Sequence, residues 1–123
     1  MPRATANVGE TEKHDLKSCP EGYILVRRLT YGEKLQRRAM VSNMKIETQK
    51  GKQNFAGEMQ LVNEQATLFD FQLCIVDHNL EDENGTKLNF SKMSDVKKLD
   101  PRIGEEIDTI LSDLNNFEED EGE

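Results

Sequence analysis

The chain has 123 residues, 35% of them hydrophobic and 33% charged, with no Trp and a net charge of −8. One modest domain fits that length. A mean hydropathy of −0.76, with no apolar run near the ~20 residues of a membrane span, leaves no candidate for a spanning helix.

Residues 1–18 lack the apolar stretch of a signal peptide. The two cysteines, Cys19 in a polar leader and Cys74 in an apolar run, do not make a disulfide framework. A reducing cytoplasm is therefore expected, and two glycosylation sequons at Asn84 and Asn89 carry no weight. Charge is unevenly spread. Residues 23–52 hold eight Lys or Arg against two Glu, whereas residues 53–123 hold five basic against eighteen acidic side chains. Such a split serves internal neutralisation or two faces for two partners.

In chain order, residues 1–21 show no period and read as a flexible arm. Tyr23–Val26 is a short apolar run behind Pro20-Glu21-Gly22 and reads as a strand. Thr30 and Glu33 have capping-box spacing, each side chain able to satisfy the other's backbone N–H. A helix over about 30–44 follows, with Leu35, Ala39, Met40, Val41 and Met44 on its apolar side and Lys34, Arg37 and Arg38 toward solvent. Residues 45–56 are polar, contain Gly51 and read as a loop.

The longest period comes next. Val62, Ala66, Phe69, Leu73, Val76 and Leu80 step by four and three, with Leu61, Leu68 and Ile75 as a second row. This predicts a central helix over about 58–78, packed on the other helices. Asn84-Gly85 favours a type I′ turn, so a small hairpin or tight turn is expected near 80–90, with Leu88 and Phe90 alternating after it. Ser91 or Ser94 can cap a single helical turn. Asp100-Pro101 has the form of an N-cap and first helical residue. Ile103, Ile107, Ile110, Leu111, Leu114 and Phe117 then mark an amphipathic helix over about 101–116. Residues 118–123 hold five acids in six positions and read as a solvated acidic tail. The expected fold class is α+β and mainly helical: one domain over 22–117, with an arm at 1–21 and a tail at 118–123.

The stretch CIVDHNLEDENG, residues 74–85, concentrates residue types that bind metals and move protons. Aligning Gly85 with the sixth position of a calcium loop puts Leu80 first and Ser91 twelfth, where acids are required. Cys74 and His78, four apart, would share a helix face, and His14 and Cys19 complete a Cys₂His₂ inventory. Neither pair has the spacing of a structural zinc site. Cys74 then reads as a small apolar packing residue, and His78 as a cation at a helix end. No third group orients a Cys/His pair for catalysis, and no phosphate loop, dinucleotide fingerprint or nucleophile elbow is present. The expectation is no enzyme, no cofactor, and no catalytic or metal residues. The basic run from Arg27 to Lys52 has one stacking aromatic, Tyr31, in an acidic chain, so nucleic acid is not the expected partner.

Three stretches, GYILVRRLTYGEKLQRRAM, FDFQLCIVDHNLEDENGTKLNF and DVKKLDPRIGEEIDTILSDLNNFEED, resemble the tail assembly chaperones of long-tailed bacteriophages. The middle stretch matches through Asp77, Asn79, Gly85, Leu88 and Phe90, and the last through Leu99, Asp100, Pro101, Ile103, Gly104 and Ile107. The resemblance spans about residues 22–120 and rests on structural positions, with no catalytic residue to carry over. It implies a non-enzymatic chaperone that binds the tape measure protein, keeps it soluble in the host cytoplasm and helps recruit tail tube subunits. It also implies absence from the finished virion, and a longer frameshifted form of the chain as a further partner. No membrane partner is expected. A structural tail or head–tail joining protein, or a small acidic regulator, are the alternatives. Leu111, Leu114 and Phe117, on the last helix, are the expected partner surface. Met40, Met44, Met59 and Met93 are adaptable contact residues or core filler.

Overall fold

The computed structural model describes residues 2, 4, 5, 9–51 and 55–115, with the backbone alone for 44–51 and 55–61. In chain order the elements are β1 (Glu12–Asp15), β2 (Tyr23–Val26), α1 (Tyr31–Gly51), α2 (Phe55–Cys74), β3 (Ile75–His78), α3 (Met93–Val96) and α4 (Pro101–Asn115). The strands form one antiparallel sheet with β2 in the centre. Ile24 and Val26, alternate residues of β2, are wholly buried and share a core with Phe71, Cys74, Ile107 and Leu111 from α2 and α4. The class is α+β with a small sheet.

Local chemistry sets the helix starts. Thr30 Oγ1 accepts the Glu33 N–H at 3.1 Å, and Glu33 Oε1 accepts the Thr30 N–H at 2.9 Å, so the expected capping box is formed. Asp100 caps α4 by accepting the Arg102 N–H at 2.9 Å, with Pro101 as the first helical residue. Glu106, in the second turn of that helix, reaches back toward the start of the chain. Its carboxylate accepts the backbone N–H groups of Lys17 and Ser18, both at 2.8 Å, and the Ser18 hydroxyl at 2.6 Å.

Those bonds belong to a region read from sequence as a flexible arm. Residues 12–15 form β1, paired with β2 from Glu12↔Val26 to Asp15↔Tyr23, and Leu16 is buried in the core. The segment EKHD shows no alternation because it is an edge strand facing solvent. Backbone pairing, Leu16 and Glu106 anchor it, and none of these is a periodic feature.

α1 continues through residues 45–51, which were expected to be a loop. This segment holds no Pro, and Lys45, Glu47, Gln49 and Lys50 are straight-chain residues that favour a helix. No described side chain of α1 is buried. The helix packs on α2 and is tied down by polar contacts. Arg27 holds Glu33 through two bonds of 2.9 Å, Arg37 holds Asp70 at 2.8 and 3.1 Å, and Lys34 Nζ donates to the Asn115 carbonyl at 2.9 Å.

The predicted central helix stops at Cys74, and residues 75–78 are β3. Leu25 faces Asp77 while Val26 faces Ile75, so Val76 is an extra residue in the ladder. This bulge breaks the two-residue alternation and lets both Ile75 and His78 turn inward, three positions apart, while Val76 is 54% exposed. The helical stripe ran on through this strand by counting Val76, which is the exposed bulge residue. On α2 the buried line is Val62, Ala66, Asp70 and Cys74, with Phe71 beside it, whereas Phe69 and Leu73 are half-buried. The sequence stripe was rotated because it passed over Asp70, an acid made compatible with burial by Arg37.

The expected tight turn at 80–90 is present with a different geometry. Gly85 N–H donates to the Asp82 carbonyl at 3.0 Å, and Asp82 N–H donates to the Thr86 carbonyl at 2.9 Å. Gly85 alone in this turn has positive φ, at 79°. That is a three-residue loop with a type I turn and a glycine bulge, not a type I′ turn, which needs positive φ at Asn84 as well.

Candidate functional site

A cleft of about 650 Å³ opens where three separate segments meet: the β1–β2 turn, the chain leaving β3, and the approach to α4. Its apolar lining comes from Leu80, Leu88, Leu99 and Ile103, with Cys19. Its carboxylates are Glu21, Glu81, Asp82, Glu83 and Asp100, set against one ammonium, Lys98. Lys98 already lies 3.4 Å from Asp95.

Each wall is held by identifiable bonds. In the turn Cys19-Pro20-Glu21-Gly22, Gly22 N–H donates to the Cys19 carbonyl at 2.9 Å, and Glu21 sits at φ 68°. Pro at the second position and positive φ at the third define a type II turn, whose third position normally takes Gly. Gly22 is needed for close approach. A Cβ there would stand 2.9 Å from Cys19 Sγ and 3.1 Å from Leu80 Cδ2. Asn79 clamps the same turn from the opposite wall, its Oδ1 accepting the Tyr23 N–H at 2.8 Å and its Nδ2 donating to the Glu21 carbonyl at 2.9 Å. Asp82 Oδ1 accepts the N–H groups of Asn84 and Thr86, at 2.9 and 3.0 Å, which fixes the second wall. Asp100 is held on the third wall by its cap and by Arg102, whose guanidinium lowers its carboxyl pKa.

The metal-and-proton residues of 74–85 are occupied elsewhere. Cys74 ends α2 and His78 lies in β3, so they do not share a helix face. Cys74 is wholly buried, and burial, helped by nearby Asp70, pushes its thiol up to about 12. Asn115 Nδ2 donates to its sulfur at 3.6 Å. His78 was read as a cation at a helix end. It is instead buried against Phe90, with ring centroids 4.4 Å apart, and its Nδ1 accepts the Leu80 N–H at 3.0 Å. Burial, and after it the charge of Lys87, lower its pKa, so the ring is held neutral. Among the described residues no three His, Cys, Asp or Glu converge on a metal site, and no helix is long and apolar enough to cross a membrane.

Of the three residues expected to form a partner surface, the two that are described do not present one. Leu111 is 1% exposed and belongs to the core. Leu114 packs on the core's edge and lines a smaller cavity of about 280 Å³ with Arg27 and Arg28. Phe117 lies outside the described residues. The exposed positions of α4 are Pro101, Arg102, Glu105, Asp108, Thr109 and Asp113, a polar face. Met40 and Met93 are half-buried, and the side chains of Met44 and Met59 are outside the description. Of the basic run, Arg27, Lys34 and Arg37 are engaged in the internal bonds given above.

The sequence places Glu81, Asp82 and Glu83 in the tight turn expected near 80–90 and Glu21 in the arm. A cluster of acids beside an Asn-Gly turn was visible, but its apposition to Leu99 and Ile103 is made by the fold. Comparisons of the chain with protein-family models, with curated proteins and with solved structures find no match.

Proposed function

We propose that the chain is a tail assembly chaperone of a long-tailed bacteriophage. It binds the tape measure protein, keeps it in solution in the host cytoplasm and helps recruit tail tube subunits, and it is left out of the finished particle. The observation that carries this reading is the run of pattern positions along residues 22–120. Its members do structural work: Asn79 clamps a turn, Gly85 closes another, Leu88 and Phe90 are buried, and Asp100 with Pro101 starts α4. A protein whose distinguishing residues build a scaffold works by presenting a surface, and the open cleft is a surface of that kind.

Co-expression with the tape measure protein of the same phage tests the reading. The expected result is soluble tape measure protein that elutes with the chain from a sizing column. Mass spectrometry of purified particles should then detect no stoichiometric copy of the chain. A tape measure protein that stays insoluble, with no complex, overturns the proposal. A defined copy number in particles points instead to a structural tail or head–tail joining protein.

A further inference from the structure

We infer that the acid-rimmed cleft is a docking groove for a basic amphipathic helical segment of the client protein. Apolar side chains of that segment rest on Leu80, Leu88, Leu99 and Ile103, and its Lys or Arg side chains face Glu21, Glu81 and Glu83. Naming the client rests on the chaperone reading; the preference for a basic amphipathic helix rests on the cleft alone.

Charge selects the class of occupant. Five carboxylates and one lysine line the cleft, and that lysine is shared with Asp95. Among the described residues Glu21, Glu81 and Glu83 have no cationic partner within ion-pair distance. Asp82 is committed to backbone N–H groups and Asp100 to Arg102, which leaves Glu21, Glu81 and Glu83 to meet a partner. Like charges gathered around an apolar floor repel anions and nucleic acid, and they favour a cationic partner that brings apolar surface with it.

The backbone selects the mode. The residues lining the cleft come from turns, connecting segments and the first turn of α4, and none belongs to a strand. The bridge of Glu81 to Lys87 is isolated and too short an edge to take up a strand. The lining holds no aromatic ring to grip a polyproline segment and no Arg to grip a phosphate. Apolar side chains laid into a groove, the mode of amphipathic helices, suit what this lining does offer. A volume of about 650 Å³ admits several large side chains.

The probe is a fluorescein-labelled synthetic Leu/Lys amphipathic helix of about 20 residues, with a Leu/Glu counterpart as control. Anisotropy against the full chain should show binding of the Leu/Lys peptide alone, weakening as salt rises. Amide shifts in ¹⁵N-labelled protein should cluster at Gly22, Leu80, Leu88 and Leu99. The triple variant E21Q/E81Q/E83Q, with an unchanged circular dichroism spectrum, should bind about tenfold more weakly. Lys98→Glu is an exposed substitution that adds an acid and should tighten binding, so one arm reads as a gain.

The inference is overturned if the peptide does not bind, if its shifts fall elsewhere, or if both variants bind it as the wild type does. It is also overturned if the cleft proves to hold a second copy of the chain, seen as a dimer that the triple variant dissociates. Co-expression with tape measure protein separates this inference from the chaperone reading. A triple variant that loses the peptide but still solubilises the client overturns the assignment of the client to the cleft and leaves the chaperone reading standing. A wild-type chain that binds the peptide through the cleft but never solubilises the client overturns the chaperone reading, and the groove's preference stands.

Discussion

Asn115 does more for the fold than its place at the end of a helix suggests. It is 5% exposed, and its Oδ1 accepts the N–H of buried Leu29 at 2.9 Å. Its Nδ2 donates to the Leu111 carbonyl at 3.0 Å and to Cys74. Asn115→Ala leaves the Leu29 N–H without its acceptor and should cost about 2–3 kcal/mol, read as a melting temperature lower by about 5–10 °C. A loss under about 0.5 kcal/mol would mean that water takes over the acceptor's place. Glu21→Gly should act the other way. Removing a left-handed non-glycine residue relieves about 1–2 kcal/mol, offset in part by the freer unfolded chain. A net gain of about 1 kcal/mol in urea melts is expected, and a variant no more stable than the parent would show that the turn stores no strain. Residue-level features of this kind were legible only where they are local. Thr30 with Glu33, and Asp100 with Pro101, lie within one turn of helix and could be read from spacing. Asn115 with Leu29, and Glu106 with Ser18, depend on contacts nearly ninety positions apart and leave no pattern in the sequence.

At the scale of elements, α1 depends on ions more than on oil. Its described side chains are exposed or half-buried, with Leu35 at 45% and Tyr31 at 69%. The Arg37–Asp70 pair joins it to α2 with side-chain exposures of 12% and 10%. Breaking such a pair from one side costs more than the pair contributes, because the abandoned charge stays desolvated. Arg37→Ala should therefore destabilise by about 3 kcal/mol, whereas Arg37→Met with Asp70→Leu should recover most of that loss. Denaturant melts of the two variants settle the point: a double variant as weak as the single one would show that Asp70 has a role beyond pairing. The same pair explains an error of reading. The Thr30–Glu33 cap marked the start of α1, but its expected apolar residues Leu35 and Ala39 are exposed and Lys34 and Arg37 are half-buried. Apolar periodicity found α2 and α4, but it slid around α2 because the buried line includes an acid whose partner is on another helix. It also ran through β3, where it counted Val76, the exposed bulge residue, as part of the apolar face. β1 escaped because an edge strand of Glu, Lys, His and Asp has nothing to alternate. The cleft was invisible for a further reason: its walls come from residues 19–22, 79–88 and 98–103, and only the fold sets their acids around Leu99 and Ile103.

For the molecule as a whole, these electrostatic contacts dictate how stability follows pH. The shifts resolved for Glu33, Asp77, Asp95, Asp100 and Glu106 are all downward, each through hydrogen bonds or cations that favour the ionised form. Glu33 goes furthest, to about 2, chiefly through its bonds to Arg27. A carboxyl held below its unfolded value binds fewer protons folded than unfolded, so its contribution is full above about pH 4.5 and is lost as pH falls toward 2. Asp108, on the exposed face of α4, is raised by partial desolvation of its carboxyl and by Glu105, and opposes this with one group against five. His78 adds a separate limb at higher pH. Its pKa is lowered from 6.5, so the unfolded chain takes up the proton first, and stability falls as pH drops below about 6.5. Asp77, ahead of it in β3, and Lys87, paired with Asp77 at 2.8 Å, are the charges nearest that ring and pull in opposite directions. The urea midpoint should therefore climb in two steps, between about pH 2 and 4.5 and again toward about pH 6.5. His78→Asn places an oxygen near Nδ1, where it can still accept the Leu80 N–H, and removes the titrating ring. It should erase the upper step and leave the lower one, while Glu33→Gln should flatten the lower step and lower the plateau by about 1–3 kcal/mol. A His78→Asn protein that keeps the upper step would assign it to another group and refute the neutral, buried histidine as its source.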